Sequence, residues 1–212
     1  RNVGALRVMT KLIIARHGNT FGPDDTPTRV GARTDLPLVE SGEAQAARLG
    51  QWLKDNEIYP EVTYCSELQR TQQTAKIALK TLGYAQPTFP LAIFNEIDYG
   101  PDENLTEDKV IARIGEQAIK DWDEKAIVPD GWEFNPEKCI QDWKDFAQHI
   151  VDDEQDIIFV VTSNGTARFA PHIAGNFEEF ANNFKIKLST GALGVLEFEN
   201  SQWTVKDWNI RP

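Results

Sequence analysis

Leu12-Ile13-Ile14-Ala15-Arg16-His17-Gly18 runs from four apolar residues straight into an arginine, a histidine and a glycine. The apolar run suits a short buried strand, and the glycine marks the turn that ends it. Arg16 and His17 therefore sit at the carboxyl end of a strand, which in open α/β sheets is where ligands bind. An imidazole there can act as a nucleophile, and the neighbouring guanidinium can hold the phosphoryl group it attacks. Ordinary turns also carry such residues, so the weight of this triplet depends on the rest of the chain.

Outward from this strand, helix-like and strand-like segments alternate. Leu12 to Ala15 is the first predicted strand, and Asp24 to Pro37 reads as loop, punctuated by Pro27, Gly31 and Pro37. A helix is expected over Gly42 to Asn56 with Ser41 as its cap. A second strand covers Val62 to Cys65. The next helix starts from Ser66 as cap and closes at Gly83, and a third strand covers Phe89 to Phe94. Leu105 to Val151 reads as helical, broken at Pro129-Asp130-Gly131. Within it Ile111, Ile114, Ala118 and Trp122 recur as one buried stripe requires. Ile157-Ile158-Phe159-Val160-Val161 is apolar on both faces, which suits the centre of a parallel sheet. A helix over Thr166 to Ala174 has to accommodate Pro171. Ala192 to Phe198 and Trp203 to Trp208 form a hairpin turning near Asn200-Ser201. No repeat, low-complexity tract or linker interrupts the pattern. The expected fold is a single α/β domain of three α/β/α layers around a mostly parallel sheet.

Composition narrows the function. A chain of 212 residues is long enough for one such domain with a full core. The formal net charge of -11 argues against a nucleic-acid binder, whose affinity rests on neutralised phosphates. It leaves room for a small phosphorylated substrate, which needs only a few focused arginines. No stretch approaches the roughly 18 apolar residues of a membrane span. Arg1 to Val8 lacks the apolar region of a secretory signal, and reads as an extension upstream of a natural start at Met9. Cys65 and Cys139 lack metal-ligand spacing and read as buried thiols of a reducing, cytoplasmic compartment. Neither metal nor cofactor is expected, and the sequence does not speak to oligomeric state.

Polar residues follow four of the apolar segments. The first leads into Arg16-His17-Gly18-Asn19-Thr20. The second leads into Ser66-Glu67-Leu68-Gln69-Arg70-Thr71-Gln72-Gln73-Thr74-Ala75, which places Arg70 in the first turn of a helix. The third ends at Glu96-Ile97-Asp98-Tyr99-Gly100, and the fourth at Thr162-Ser163-Asn164-Gly165-Thr166-Ala167-Arg168. With Thr34-Asp35-Leu36-Pro37-Leu38 and Ser41-Gly42, these runs resemble the motifs of the histidine phosphatase (phosphoglycerate mutase-like) superfamily, in its phosphatase branch. The first matches that family's RHG-x-T signature, and the second its S-x-L-x-R-x-x-Q-T-A helix start. The resemblance extends from Lys11 to about Phe169, and more loosely to the end.

This resemblance implies a phosphoglycerate mutase-like fold and a metal-independent phosphatase acting on a small phosphomonoester. His17 would be the nucleophile that becomes phosphohistidine, Arg16 and Arg70 would bind the transferring oxygens, and Glu96 would protonate the leaving group. The chemistry is coherent, since phosphoryl transfer asks mainly for positioning and for positive charge on the equatorial oxygens. His17 has to be neutral to attack, and Glu96 has to carry a proton when the leaving oxygen departs.

One departure stands out. Ser163-Asn164 occupies the place of the family's second histidine in its H-G turn. Ser163 and Asn164 can still donate hydrogen bonds, and the backbone N–H groups after Gly165 can face an anion. His149 and His172 are poorly placed to substitute. Asn19, Thr20, Arg29 and Arg33 follow the nucleophile and could touch substrate, Asn19 and Thr20 being the nearest to it. Asp24, Asp25 and Asp35 suit loop capping. Two alternatives remain open at this point: a phosphoglycerate-type mutase, and a phosphate-binding or regulatory protein with weakened turnover.

Overall fold

The computed structural model describes residues 9–212, so the expectation for Arg1 to Val8 lies outside the described residues. Its framework is a six-stranded sheet in the order β3-β2-β4-β1-β5-β6. The strands are β1 (Thr10–Arg16), β2 (Val62–Cys65), β3 (Thr88–Pro90), β4 (Ile157–Thr162), β5 (Leu193–Glu199) and β6 (Gln202–Ile210). The β1–β4, β2–β4 and β2–β3 pairs are parallel, and only the C-terminal hairpin β5–β6 joins antiparallel, through β5 onto β1. The apolar run of β4 thus lies between two parallel neighbours, as its two-faced pattern requires.

Side-chain alternation divides the core into two layers. On β1, Leu12 and Ile14 face one side while Ile13 and Ala15 face the other; on β4, Ile158 and Val160 oppose Phe159 and Val161 in the same way. The helices α1 (Glu40–Asp55) and α2 (Gln69–Leu82) cover the second face with Leu49, Leu53, Ala78 and Leu79. The first face is covered by α4 (Glu116–Lys125), α5 (Pro136–Asp152) and α7 (Phe177–Asn183), with Trp122, Trp143, Phe146 and Phe180. Shorter helices α3 (Glu107–Ile114) and α6 (Asn164–Ala167) connect these layers to the sheet. Cys65 and Cys139 are free and buried, one on each side.

Several boundaries differ from the sequence expectation. Helix α1 starts from Val39, with Ser41 inside its first turn, where the Ser41 hydroxyl accepts from Asn19 Nδ2 at 3.2 Å. Helix α2 starts from Leu68, and Ser66 Oγ instead accepts from the Leu68 N–H, while Asp35 takes the Gln69 N–H at 2.8 Å. The third strand stops at Pro90 and turns into a 3-10 helix over Ala92–Phe94. The helix expected over Thr166 to Ala174 splits into α6 and a 3-10 helix, Ala170–Ala174, because Pro171 cannot continue an α-helical ladder. Among the described residues no helix is long and apolar enough to cross a membrane.

Candidate active site

Parallel pairing of β1 with β4 sets Arg16 opposite Thr162, and the His17 N–H donates to the Thr162 carbonyl at 3.1 Å. The two strand ends that carry His17 and Ser163 are therefore adjacent. After His17 the chain turns against the start of α1: a β-carbon on Gly18 would collide with the Gly42 backbone, and one on Gly42 with Asn19. This close approach needs both glycines. It is sealed by the Val39 N–H on the Asn19 carbonyl, by Gln45 on the Asn19 N–H, and by Thr74 Oγ1 on the Gly18 N–H.

The His17 ring is buried, and Nδ1 lies 2.7 Å from the Gly18 carbonyl. A carbonyl only accepts, so Nδ1 carries the proton and Nε2 keeps its lone pair. Burial pushes the imidazole well below the ordinary histidine range, and the positive charges of Arg70 and Arg16 push it further. Only the Gly18 contact opposes them. The ring is therefore neutral at physiological pH, with Nε2 available as a base or nucleophile.

Arg16 Nη1 donates to the Leu188 carbonyl at 2.9 Å, and Arg70 Nη1 and Nη2 donate to the carbonyls of Thr34 at 2.7 Å and Gly31 at 3.2 Å. These backbone anchors fix both planes. The buried Nε atoms of Arg16 and Arg70, and the Oγ of Ser163, have no partner among the described residues. Burial lowers both guanidiniums from their usual value, yet Glu96 counteracts it for each, and arginine stays charged throughout.

Glu96 is buried and accepts four hydrogen bonds: Oε1 from the N–H groups of Ile97 (2.9 Å) and Thr166 (3.2 Å), Oε2 from the Gly165 N–H (3.1 Å) and Tyr99 OH (3.3 Å). The N–H groups of Gly165 and Thr166 are thus spent on this carboxylate, so the Thr166 N–H, among those after Gly165 expected to face an anion, is already taken. Gly165 makes that possible, since a β-carbon there would collide with Glu96 Oε1. Burial, with the Glu96 charge beside it, raises Tyr99 far above the usual phenol value, so Tyr99 remains a donor.

Beside these groups lies a cleft of about 520 Å³ lined by Arg16, His17, Asn19, Thr20, Glu96 and Asn164, among others. Its volume falls within the range of small-molecule sites. The sequence profile described as histidine phosphatase superfamily (branch 1) matches residues 12–211. The chain belongs to this superfamily.

Among its relatives are 2,3-bisphosphoglycerate-dependent phosphoglycerate mutases. That of Bartonella quintana is 29% identical over 94% of this chain and 97% of its own length. That of Tropheryma whipplei is 33% identical over 54% of this chain, and the match spans only about half of that relative (51%). Solved structures share the fold. The alpha-ribazole phosphatase of Shigella flexneri superposes with a TM-score of 0.73 at 21% identity, covering 95% of this chain and 97% of its own. A mycobacterial glucosyl-3-phosphoglycerate phosphatase gives 0.77 at 18% identity over 96% and 100%. Phosphoglycerate mutase from Bacillus anthracis gives 0.78 at 19% over 95% and 93%.

Measured against the superfamily motifs quoted above, the fold gathers His17, Arg16, Asn19, Thr20, Glu96 and Asn164 on one cleft. Arg70 and Ser163 are fully buried and do not line it, although the charge of Arg70 acts on His17. Asn19 is tied on both ends, accepting from Thr190 Oγ1 at 2.6 Å and donating to Ser41. Asn164 Oδ1 accepts from the Leu188 N–H at 3.1 Å, and the residue lines the cleft. Arg29 lines the cleft, paired with Glu107 at 3.1 Å, whereas Arg33 turns outward onto Asp98. His149 is exposed beside Asp153, and His172 stacks on Phe177 at 4.2 Å, so neither reaches the site.

Sequence reasoning missed Tyr99, Trp122, Lys187 and Thr190, which also line the cleft. Tyr99 stood inside the quoted Glu96-to-Gly100 run. Trp122 was read only as one member of a helical stripe, and Lys187 and Thr190 carry no motif. Among the described residues no group of three or more His, Cys, Asp or Glu side chains is placed to hold a metal ion.

Proposed function

We propose that this superfamily member is a metal-independent phosphatase that hydrolyses a small phosphomonoester through a phosphohistidine on His17. The observation that carries the reading is the His17 ring itself, neutral, buried and fixed in the tautomer that presents Nε2. Nε2 attacks phosphorus, the bond from phosphorus to the ester oxygen breaks, and Glu96 gives that oxygen its proton. Water then attacks the phosphohistidine, returning its proton to Glu96, and inorganic phosphate departs. Arg16 stabilises the phosphoryl oxygens from the cleft lining, and the buried Arg70 adds its charge without lining the cleft; Asn164 on the lining, with the buried Ser163 beside it in sequence, supplies neutral donors where the family motif has its second histidine. Asn19 and Thr20 contact the ester group. No cofactor is required.

A mutase is the second reading, favoured by the near-full-length match to the Bartonella enzyme. Both readings are tested by incubating the protein with p-nitrophenyl phosphate in EDTA, and separately with 3-phosphoglycerate and 2,3-bisphosphoglycerate. Release of phosphate by the wild type but not by His17→Ala supports the phosphatase. Isomerisation without net phosphate release supports the mutase. Phosphate binding with turnover no greater than that of His17→Ala leaves a binding or regulatory protein.

A further inference from the structure

Arg168 follows α6 and has no role in the scheme above. Its side chain is fully buried, yet it forms no ion pair among the described residues. The guanidinium lies over the Trp122 ring at 4.0 Å, donates through Nη1 to the Trp122 carbonyl at 2.8 Å, and reaches the Asn164 carbonyl through Nε at 3.4 Å. Its buried Nη2 has no partner. Trp122 and Asn164, on separate helices, both line the cleft. Burying a cation without a counter-ion is costly, and packing alone would be met by an apolar side chain of similar size.

The surroundings say what the charge faces. Tyr99, Glu96 and Asp123 act on Arg168 favourably, and Arg16 acts on it unfavourably, so it belongs to the electrostatic neighbourhood of the site. Burial lowers it to about 10, which leaves it protonated at neutral pH. Arg16, Arg70 and Arg168 are thus three buried guanidiniums whose charges all act with Glu96, around a neutral His17.

We propose that Arg168 is a positioning residue for the substrate phosphate: its buried guanidinium, held in no direct ion pair, adds positive charge opposite the phosphoryl group and clamps Trp122 and Asn164 into the cleft wall. The proposal rests on the reading that the phosphoryl group is received at His17. It places a further positive charge beside the site about one helical turn beyond Ser163.

The test compares wild type with Arg168→Lys, Arg168→Gln and Arg168→Met. The readouts are thermal unfolding with and without inorganic phosphate or orthovanadate, and KM and kcat for p-nitrophenyl phosphate at several salt concentrations. The neutral variants are expected to lose most of the anion-induced rise in unfolding temperature and to raise KM on the order of tenfold, with a weaker salt dependence. Arg168→Lys keeps the charge and recovers the anion-induced rise. If Arg168→Met fails to fold, Arg168→Gln gives the neutral result. An undiminished anion-induced rise in the neutral variants, or equal impairment of Lys and Gln, overturns the charge role. A wild type showing neither an anion effect nor His17-dependent turnover overturns the phosphatase reading as well, which separates the two failures.

Discussion

Substituting Gly165 by alanine tests how α6 and Glu96 are fitted together. A β-carbon at Gly165 would collide with Glu96 Oε1 and come within 2.8 Å of Ile97 Cδ1 and 3.1 Å of Glu96 Cδ. Carbon contacts relax at about 3.5–4.0 Å, so the carboxyl group has to retreat by roughly 1 Å. The bonds from the Gly165 and Thr166 N–H groups, now 3.1 and 3.2 Å, are then stretched beyond useful length. Helix propensity alone points the other way, since alanine is better than glycine by about 1 kcal/mol. Overpacking a filled site costs about 1–3 kcal/mol, so the net change is a destabilisation on the order of 1 kcal/mol. The effect on turnover is larger, because a misplacement of ~1 Å costs about a hundredfold. Urea unfolding and metal-free p-nitrophenyl phosphate turnover of the same preparation give both numbers. A folded Gly165→Ala protein with kcat within about twofold of wild type refutes the argument, whose scale is a hundredfold.

Other perturbations follow the same logic. Ser163→Ala removes a buried hydroxyl with no protein partner, so stability should change little, while affinity for orthovanadate falls on the order of tenfold if Oγ donates to the phosphoryl group; isothermal titration decides. Nitrogen-15 NMR of His17 should show the Nδ1–H tautomer, with no protonation as pH falls through the ordinary histidine range. Because the unfolded chain takes up that proton from about pH 6.5 downward and the folded one does not, His17 makes stability decline as pH drops below that point. A titration of His17 at or above 6.5 contradicts the burial argument. Asp102 is fully buried and accepts from Arg113 Nε at 2.6 Å and Trp132 Nε1 at 2.8 Å. Burial alone would raise its pKa, but the Arg113 and Trp132 hydrogen bonds outweigh it and hold the carboxyl below the usual aspartate value. Its stabilisation is therefore present above the ordinary aspartate range and lost as pH falls through the lowered value, and Asp102→Asn should cost roughly 3 kcal/mol in urea unfolding at neutral pH.

Local chemistry made much of this molecule legible in its sequence. The two-faced apolar runs of β1 and β4 belong at the centre of a sheet, and they pair there directly. Gly83 ends α2 in the left-handed conformation, and Asn200-Ser201 turns the final hairpin with both residues at positive φ. These features depend on neighbours along the chain. Ser41 and Ser66 misled for the same reason: each has the chemistry of a cap, but its hydroxyl met a partner elsewhere, Asn19 for one and Thr71 for the other.

Residue type and periodicity are enough to put polar groups where apolar strands stop, and the resemblance to the superfamily motifs singled out His17, Arg16, Arg70 and Glu96 among them as candidates for one site. What those groups do to one another was decided only by the tertiary structure. The Gly18 carbonyl chooses the His17 tautomer, the backbone of Thr34 and Gly31 orients Arg70, and the N–H groups beyond Ser163 go to Glu96. Arg168 closes the fourth polar run with no role that the sequence assigns, and its burial over Trp122, in no direct ion pair, is a product of the tertiary structure. Burial and hydrogen-bond partners are set by segments far apart in the chain, and they determine whether a charged side chain is solvated, neutralised or left with its field directed at a ligand.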